Sequence, residues 1–188
     1  MAQNMREITK LVKFNVILLL IGKKHGKGKF IWQEGSVYEG NFVFGDIEGT
    51  GTYKWSDGRI YQGDWVANKM HGKGLFSFPD GKKYIGDYQY DKKWGIGIFM
   101  WPNGRKYEGS WQNGKQHGMG VLTDENGIKQ YGEWSNGKKI KNLQNGDDFW
   151  KIKGQNSENQ KDFQNLRKLN NNDTNLYMSP ISEKVYSQ

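Results

Sequence analysis

Residues 107–120 read Tyr-Glu-Gly-Ser-Trp-Gln-Asn-Gly-Lys-Gln-His-Gly-Met-Gly, and this arrangement of rings and glycines recurs every 23 residues along the chain. Each unit has a tyrosine first (replaced once), a glycine third and an aromatic residue fifth. The first positions are Tyr38, Tyr61, Tyr84, Tyr107 and Gln130; the third are Gly40, Gly63, Gly86, Gly109 and Gly132; the fifth are Phe42, Trp65, Tyr88, Trp111 and Trp134. No insertion or deletion breaks the phase, so these are copies of one structural element.

Each unit is predicted to be a β-hairpin. In the pattern Tyr-x-Gly-x-Trp the two rings share one face of a strand, with only a hydrogen atom between them. A second glycine pair, such as Gly72 and Gly74, leads into an aromatic doublet such as Phe76 and Phe78, which predicts the return strand. Between units, Asp-Gly or Asn-Gly dipeptides indicate tight turns in which both residues take positive φ. These dipeptides lie at 57–58, 80–81 and 103–104.

An isolated hairpin cannot bury its aromatic face, so successive hairpins are expected to lie side by side. The glycines leave room for each ring to lie over the backbone of an adjacent strand. The predicted fold is therefore all-β: an elongated single-layer antiparallel sheet of stacked hairpins, followed by a flexible C-terminal tail. The aromatic residues predicted to pack the repeats are Tyr38, Phe42, Tyr61, Trp65, Tyr84, Tyr88, Tyr107, Trp111 and Trp134.

Three regions are predicted along the chain. Residues 1–14 form an N-terminal lead. Residues 15–142 form the array, with a degenerate capping repeat at 15–37 and repeats that start near 38, 61, 84, 107 and 130. Residues 143–188 are rich in Asn and Gln and poor in apolar residues, which is typical of a tether that orders on binding. Within this tail, Phe163, Leu166 and Leu169 could line one face of a short helix.

The apolar run 16–21 is interpreted as part of the capping strand. Counting back 23 residues from Tyr38 and Phe42 places Asn15 and Leu19 in the same phase. The run is too short for a membrane-spanning helix, which needs about 20 apolar residues. No small-residue cleavage site of a signal peptide follows it. A truncated membrane anchor is the alternative.

The composition narrows the class of protein. Hydrophobic residues make up 35% of the chain, too few for a thick closed core, while aromatic residues reach 14%. The formal net charge of +8 is spread along the chain, so it permits anionic partners without indicating nucleic acid. The absence of cysteine excludes disulfides and thiolate metal sites, and it fits a reducing compartment.

Three motifs that imitate reactive sites have structural explanations. Residues 109–116 match the phosphate-binding pattern G-x-x-x-x-G-K, but Gln116 stands where a Ser or Thr would hold magnesium, and no helix pattern follows. His25, His71 and His117 share one phase but would lie about 19 Å apart, too far to bind one metal ion. Asp64, Asp87 and Glu108 are explained by solvated, outward positions on strands. No catalytic, cofactor or metal site is predicted.

Basic residues are the better candidates for a binding surface. Lys69, Lys92 and Lys115 recur at one edge of the expected sheet, and Lys82, Lys83, Arg105 and Lys106 lie at the other edge. Steps of about 10 Å are comparable to the Debye length, so an anionic surface could interact with several charges together. The alternative is that these side chains only keep the edges of the sheet soluble.

The unit at 107–120 resembles the MORN repeat almost residue for residue, and Tyr61 to Gly74 resembles it nearly as well. The resemblance covers about residues 15–138. Departures are Asp46 and Glu48 in place of Lys and His, Trp94 in place of His, and Gln130 in place of Tyr. It implies an elongated single-layer sheet, as found in junctophilins, lipid kinases, a lysine methyltransferase, protozoan cytoskeletal scaffolds and radial spoke heads of motile cilia.

The resemblance implies a function as well as a fold. In the enzymes of this group the repeats accompany a separate catalytic domain, for which the flanking segments here leave no room. The chain is therefore expected to be a non-catalytic, cytoplasmic scaffold for protein–protein assembly in a cytoskeletal or ciliary complex, such as an axonemal radial spoke. Its expected partners are proteins of a multi-subunit assembly, without nucleic acid or cofactor, and homodimerisation stays open. The alternative is a phosphoinositide-binding or membrane-surface adaptor that uses the basic edges.

Overall fold

A computed structural model describes residues 22–143, which form eleven antiparallel strands in a single sheet. The strands lie in the sheet in the order in which they occur in the chain, so each pairs only with its sequence neighbours. They are β1 (Gly26–Ile31), β2 (Val37–Val43), β3 (Asp46–Lys54), β4 (Ile60–Val66), β5 (Lys69–Ser77), β6 (Lys83–Gln89), β7 (Lys92–Met100), β8 (Lys106–Gln112), β9 (Lys115–Thr123), β10 (Lys129–Ser135) and β11 (Lys138–Leu143). The predicted all-β, single-layer antiparallel architecture is confirmed.

Some predictions concern residues outside 22–143. These are the N-terminal lead, the part of the capping strand that contains Asn15 and Leu19, and the Asn/Gln-rich tail after Leu143 with Phe163, Leu166 and Leu169. Within the described part of the chain, no helix is long and apolar enough to cross a membrane.

A row of glycines crosses the sheet at right angles to the strands. Each third-position glycine from Gly40 to Gly109 pairs with a glycine on both flanking strands, whereas Gly132 pairs with Gly120 on one side and with Asn142 on the other. The row runs Gly28, Gly40, Gly51, Gly63, Gly74, Gly86, Gly97, Gly109, Gly120 and Gly132. Because ten strands in succession carry no side chain at this level, the row leaves a channel across one face of the sheet.

The first-position tyrosines fill this channel. Tyr38, Tyr61, Tyr84 and Tyr107 are 0% exposed, and each ring lies over the glycine of the following strand. Each hydroxyl donates a hydrogen bond to the backbone carbonyl three residues later, as Tyr84 does to Asp87 at 3.0 Å. The fifth-position rings pack edge-on against them, with Tyr84 and Trp111 centroids 5.2 Å apart. All the aromatic residues predicted to pack the repeats are buried on this one face, which we call the aromatic face.

The tight turns differ from the prediction. At Asp57-Gly58 only the glycine has positive φ, and the Gly58 N–H donates to the Trp55 carbonyl at 3.0 Å. The two-residue turns in which both residues have positive φ lie at the other edge of the sheet, at Ala67-Asn68 and Tyr90-Asp91 among others. The prediction placed this geometry at the wrong turn because it relied on the Asp-Gly signal. The hydrogen bonds of the neighbouring hairpin hold these non-glycine residues at positive φ instead.

Those hydrogen bonds connect each two-residue turn to the hairpin before it. The N–H of the second turn residue donates to a carbonyl 21 residues earlier, as Asn68 does to Ile47 at 3.0 Å and Asp91 does to Met70 at 2.9 Å. In the same two turns the side-chain oxygen of Asn68 accepts from the Ile47 N–H, and that of Asp91 from the Met70 N–H. Successive repeats are therefore joined by turn contacts as well as by strand pairing.

The strand carboxylates are not simply solvated, as the sequence suggested. The pairing of β4 with β5 and of β6 with β7 shifts just past the glycine row. There Asp64 accepts a hydrogen bond from the Lys73 N–H at 2.9 Å, and Asp87 accepts one from the Ile96 N–H at 3.0 Å. Glu108 is only 2% exposed and pairs with Lys106 at 3.0 Å. The prediction was wrong because it did not anticipate β-bulges, which leave backbone N–H groups without a ladder partner.

The ring-on-glycine contact predicts a double-mutant result. A Cβ atom at Gly97 would lie 2.6 Å from Cε2 of Tyr84, so Gly97→Ala is expected to destabilise the protein by about 2–3 kcal/mol. In a Tyr84→Ala background the same substitution should cost far less, because the ring it strikes is gone. Urea denaturation of the two single variants and the double variant measures this coupling. Additive free energies would show that the ring and the glycine do not depend on each other.

Candidate functional site

The aromatic face carries a line of half-buried rings near one edge of the sheet. The doublets that follow the second glycine pair place Trp32, Trp55, Phe78 and Trp101 in one phase, each at the end of a strand or just beyond it, and we call these four residues the aromatic stripe. The first ring of each doublet links one stripe residue to the next. Centroids lie 5.0 Å apart for Trp32 and Tyr53, 4.5 Å for Tyr53 and Trp55, and 5.4 Å for Trp55 and Phe76; the same pattern continues through Phe78, Phe99 and Trp101.

The edge next to the stripe, which we call the turn margin, contains the glycine turns at 35, 58, 81, 104 and 127. Here the guanidinium of Arg59 lies 5.2 Å from the Trp55 ring and that of Arg105 lies 5.2 Å from the Trp101 ring. Such stacking holds both partners in place. Two of the stripe's tryptophans are therefore bordered by a fixed cation.

The basic residues predicted at the turn margin are partly neutralised. Lys82 pairs with Asp80 at 2.7 Å, and this ion pair lowers the pKa of the Asp80 carboxyl below its usual value. Lys106 pairs with the buried Glu108, and Arg105 stacks on Trp101.

Lys83 lies on a different face from the stripe. It begins β6 on the opposite face, where it pairs across strands with Ser77 and Met100. The four residues share a margin but do not form a ladder of free positive charges.

The opposite edge, the loop margin, contains the two-residue turns. Lys69, Lys92 and Lys115 each begin a strand there and are exposed, and Lys138 has the same place on β11. No ion pair between described residues includes any of the four. Asp46 and Asp91 lie on the same margin. The positive charge is therefore densest in the C-terminal half of the loop margin, from Lys92 onward.

The histidines organise turns on the loop margin. Nδ1 of His25 accepts a hydrogen bond from the Phe44 N–H at 3.3 Å, and its ring packs edge-on against Phe44, with centroids 5.1 Å apart. His71 packs in the same way against Tyr90, at 4.8 Å. Where Glu48 replaces histidine, its carboxylate accepts the corresponding turn N–H, from Ala67 at 2.8 Å. This substitution therefore keeps the kind of acceptor that His25 supplies and loses only the ring, whereas Nδ1 of His71 has no hydrogen-bond partner among the described residues.

The other motifs that resemble reactive sites also have structural explanations. Gly109 belongs to the glycine row and Gly114 to a two-residue turn, and strand β9 follows the pattern in which a phosphate-binding loop would need a helix. Within residues 22–143 no cluster of three or more His, Asp or Glu side chains is placed to hold a metal ion. The substitution of Gln130 for tyrosine is accommodated by Lys139, whose Nζ donates to Gln130 at 3.2 Å and whose stem lies beside Gly132.

Lys93 lies in the aromatic layer, which the sequence did not predict. The ammonium of Lys93 lies 4.7 Å from the centroid of Phe99, 4.9 Å from that of Trp111 and 5.3 Å from that of Tyr84. Burial lowers the pKa of Lys93 to about 8. The sequence gives no clear signal, because this repeat position is of mixed character and is held by Lys24, Ile47, Met70, Lys93, Gln116 and Lys139. A lysine in this place carries its charge into the aromatic layer.

Comparison with known proteins supports the repeat assignment. The model of the MORN repeat matches six segments, at residues 21–37, 38–58, 61–83, 84–104, 107–129 and 131–139. Together these cover more than half of the chain. None of the curated proteins matches the chain at a significant level of similarity.

The low pKa of Lys93 predicts how stability changes with pH. The unfolded chain keeps the Lys93 proton up to about pH 10, whereas the folded chain releases it near pH 8, so the unfolded state binds more protons between these values. The free energy of unfolding should therefore rise from pH 7.5 to 9.5, with a contribution on the order of 1 kcal/mol from Lys93. Above about pH 10 the buried tyrosines reverse this trend, because burial raises the pKa of Tyr84 and Tyr107.

The test compares Lys93→Met, which introduces the residue found at position 70, with Lys92→Met at the exposed neighbouring position. Chemical denaturation at pH 7.5 and 9.5 should show a smaller rise for Lys93→Met than for the wild type, and no such loss for Lys92→Met. Equal pH dependence in all three proteins would mean that Lys93 keeps an ordinary pKa in the folded state.

Proposed function

The chain belongs to the MORN-repeat family, and on that premise we propose that it is a non-catalytic scaffold whose aromatic stripe holds a partner protein within a cytoskeletal or ciliary assembly. The observation that carries this proposal is the stripe itself, in which a half-buried ring recurs just past the end of β1, β3, β5 and β7. Tryptophan and arginine dominate the binding energy of many protein interfaces. Here both residue types occur together, as Trp55 with Arg59 and Trp101 with Arg105.

The rings are fixed before any partner binds. Each stripe residue contacts at least one neighbouring ring, as Phe78 does with Phe76 at 4.6 Å and Trp101 does with Phe99 at 4.6 Å. Side chains that are already ordered lose little conformational entropy on association. The stripe is therefore suited to bind an extended segment, and most of the conformational entropy lost on binding would then be lost by that segment.

The spacing of the stripe suggests which kind of segment fits. Two strands separate successive stripe residues, a distance of about 9.6 Å. A polyproline II helix repeats every three residues with a rise of about 3.1 Å each, or about 9.3 Å per turn. An extended, proline-rich or otherwise polyproline II segment with an apolar residue at every third position would thus place one side chain against each ring. Acidic residues beside them would meet Arg105, whereas Arg59 is already paired with Asp57 at 2.7 Å.

For the proposed setting within the cell, the support is the family resemblance. Related arrays serve cytoskeletal scaffolds and radial spoke heads, which supports a cytoplasmic, cytoskeleton-associated location, with the cilium and its axoneme as the specific proposal. The partners would be other proteins of a multi-subunit assembly. Homodimerisation stays a prediction, which light scattering of the purified chain tests directly.

Proximity labelling in cells that express the chain tests the scaffold proposal. We expect Trp55→Ser combined with Trp101→Ser to remove most of the labelling of cytoskeletal or axonemal neighbours, because the stripe loses two of its four rings. The matched control is Phe44→Ser combined with Tyr90→Ser, which removes two aromatic rings from the loop margin. Circular dichroism confirms that both variants keep the sheet. Labelling that is equally intense for both variants, or that is confined to membrane proteins, would contradict the proposal.

A second candidate function has its own supporting observation. The loop margin presents Lys69, Lys92, Lys115 and Lys138 without ion pairs to other described residues, whereas the basic residues of the turn margin are partly paired or stacked. An anionic bilayer attracts each nearby basic residue by about 1 kcal/mol. If the chain is instead a phosphoinositide-binding or membrane-surface adaptor, the loop margin is the edge that would face the lipid.

Co-sedimentation with vesicles decides this alternative. Vesicles of phosphatidylcholine are compared with vesicles that also contain phosphatidylserine and phosphatidylinositol bisphosphate. Under the adaptor hypothesis, Lys92→Glu with Lys115→Glu should weaken binding by about tenfold or more, since two attractions become repulsions. Lys82→Glu with Arg105→Glu changes the net charge by the same amount at the turn margin, and it should weaken vesicle binding less. Equal losses would indicate non-specific attraction, and no binding by the wild type would exclude the adaptor function.

A further inference from the structure

The face opposite the aromatic face, which we call the second face, contains an apolar patch. Leu75, Ile85, Ile96 and Ile98 are buried there, and Met100 packs against them. Ile98 is 0% exposed. A residue on the open face of a single sheet normally keeps some contact with solvent, because only its neighbours in the same layer shield it. All described strands lie in one layer with turns at its margins, so residues 22–143 provide no second layer over Ile98.

The burial changes along one row of paired residues on the second face. The row runs Glu39, Thr52, Gln62, Leu75, Ile85, Ile98, Glu108, Val121 and Tyr131. Glu39 is exposed and Thr52 and Gln62 are half-buried, whereas every residue from Leu75 to Val121 is buried, and Tyr131 is half-buried again. The backbone register is the same throughout the row. The change therefore indicates a covering element that extends from β5 to β9 and no further.

We propose that residues 157–170, from the C-terminal part of this chain, lie across β5 to β9 and cover this patch. Phe163, Leu166 and Leu169 recur at helical spacing, which predicts one apolar helix face. Ser157 and Gln160 have the spacing of a capping box, which predicts where such a helix begins. Placing these three side chains against Ile98 and its neighbours buries two apolar surfaces together.

The dimensions of the segment and the patch agree. From β5 to β9 is four strand spacings, about 19 Å. A helix over 157–170 would be about 21 Å long. The chain leaves the sheet at Leu143, which pairs with Tyr131 at the end of the same row. Residues 144–156 can extend to about 43 Å, which exceeds the distance of about 29 Å from β11 to β5.

The N-terminal segment, residues 1–21, fits the burial pattern along this row less well than residues 157–170 do. Residues 1–21 precede β1, at the other end of the sheet, and would have to cross β2 to β4 before they reached Ile98. Thr52 and Gln62 keep solvent contact on that path. The one charge buried within the covered row, Glu108, is paired with Lys106, so an apolar segment can lie on it without burying an isolated charge.

A thiol probe tests the proposal in the full chain. The natural sequence has no cysteine, so Met100→Cys supplies one thiol beside the patch. Its reaction with a maleimide should be slow, and it should become at least about tenfold faster when Phe163, Leu166 and Leu169 are all changed to serine. Thr52→Cys, on the uncovered part of the row, should react at the same rate in both backgrounds. If Met100→Cys perturbs folding, Ser110→Cys, a near-isosteric change opposite Ile96, replaces it as the thiol probe.

Other occupants give distinct results. A rate that rises only when Ile17 and Leu19 are changed to serine would overturn the proposal in favour of the N-terminal segment. A rate that falls as protein concentration rises would show that a second copy covers the patch. Fast reaction in the unchanged background would show that nothing covers it. Oxidation adds a direct readout: Met100→Cys with Leu166→Cys should form a disulfide within the monomer, and Thr52→Cys with Leu166→Cys should not.

Discussion

The contact between a tyrosine ring and the glycine of the next strand is the constraint on which the rest of the structure depends. The ring of Tyr84 occupies the space that a Cβ atom of Gly97 would need, and Tyr38, Tyr61 and Tyr107 repeat this arrangement on their own strands. One additional methyl group in the row would strike a ring or a backbone atom. The register of every strand pair from β1 to β10 is therefore fixed from one side, since a shift by one residue would bring a side chain into the channel.

This contact also explains how a single layer can be stable without a second sheet. The tyrosines are fully buried although residues 22–143 place no other layer over the aromatic face, because the glycines let each ring lie against the backbone and the fifth-position rings close over it. Each hairpin is bound to the next by strand pairing, by these rings and by the turn hydrogen bonds from Asn68 and Asp91 to the preceding repeat. Stability should then be shared between neighbouring repeats, as in other solenoid proteins.

The sequence predicted those features that the 23-residue period repeats. The hairpins, the common face of Tyr61 and Trp65, and the order of the strands all follow from spacing alone. The features it missed depend on backbone geometry that residue type only weakly determines. Ala67 and Tyr90 take positive φ because the adjacent hairpin accepts their turn's hydrogen bonds, and Asp64 finds its backbone partner only because a bulge leaves one. Lys93 could not be singled out from the sequence, because its repeat position is held by lysine, isoleucine, methionine and glutamine in different units.

The two faces of the sheet follow different rules, and this difference separates the positions that the repeat fixes from those that it leaves free. Positions on the aromatic face are set by the repeat, so Tyr61 and Tyr84 serve the same role in consecutive units. Positions on the second face are not set by it: the same repeat position is occupied by Glu39, Gln62, Ile85 and Glu108 in turn. Since hairpin packing does not require Ile98 to be apolar, the proposed covering segment, and not the repeat, accounts for its burial. The residues that distinguish one array from another, and that select what each array binds, should therefore be sought among the positions that the repeat leaves free.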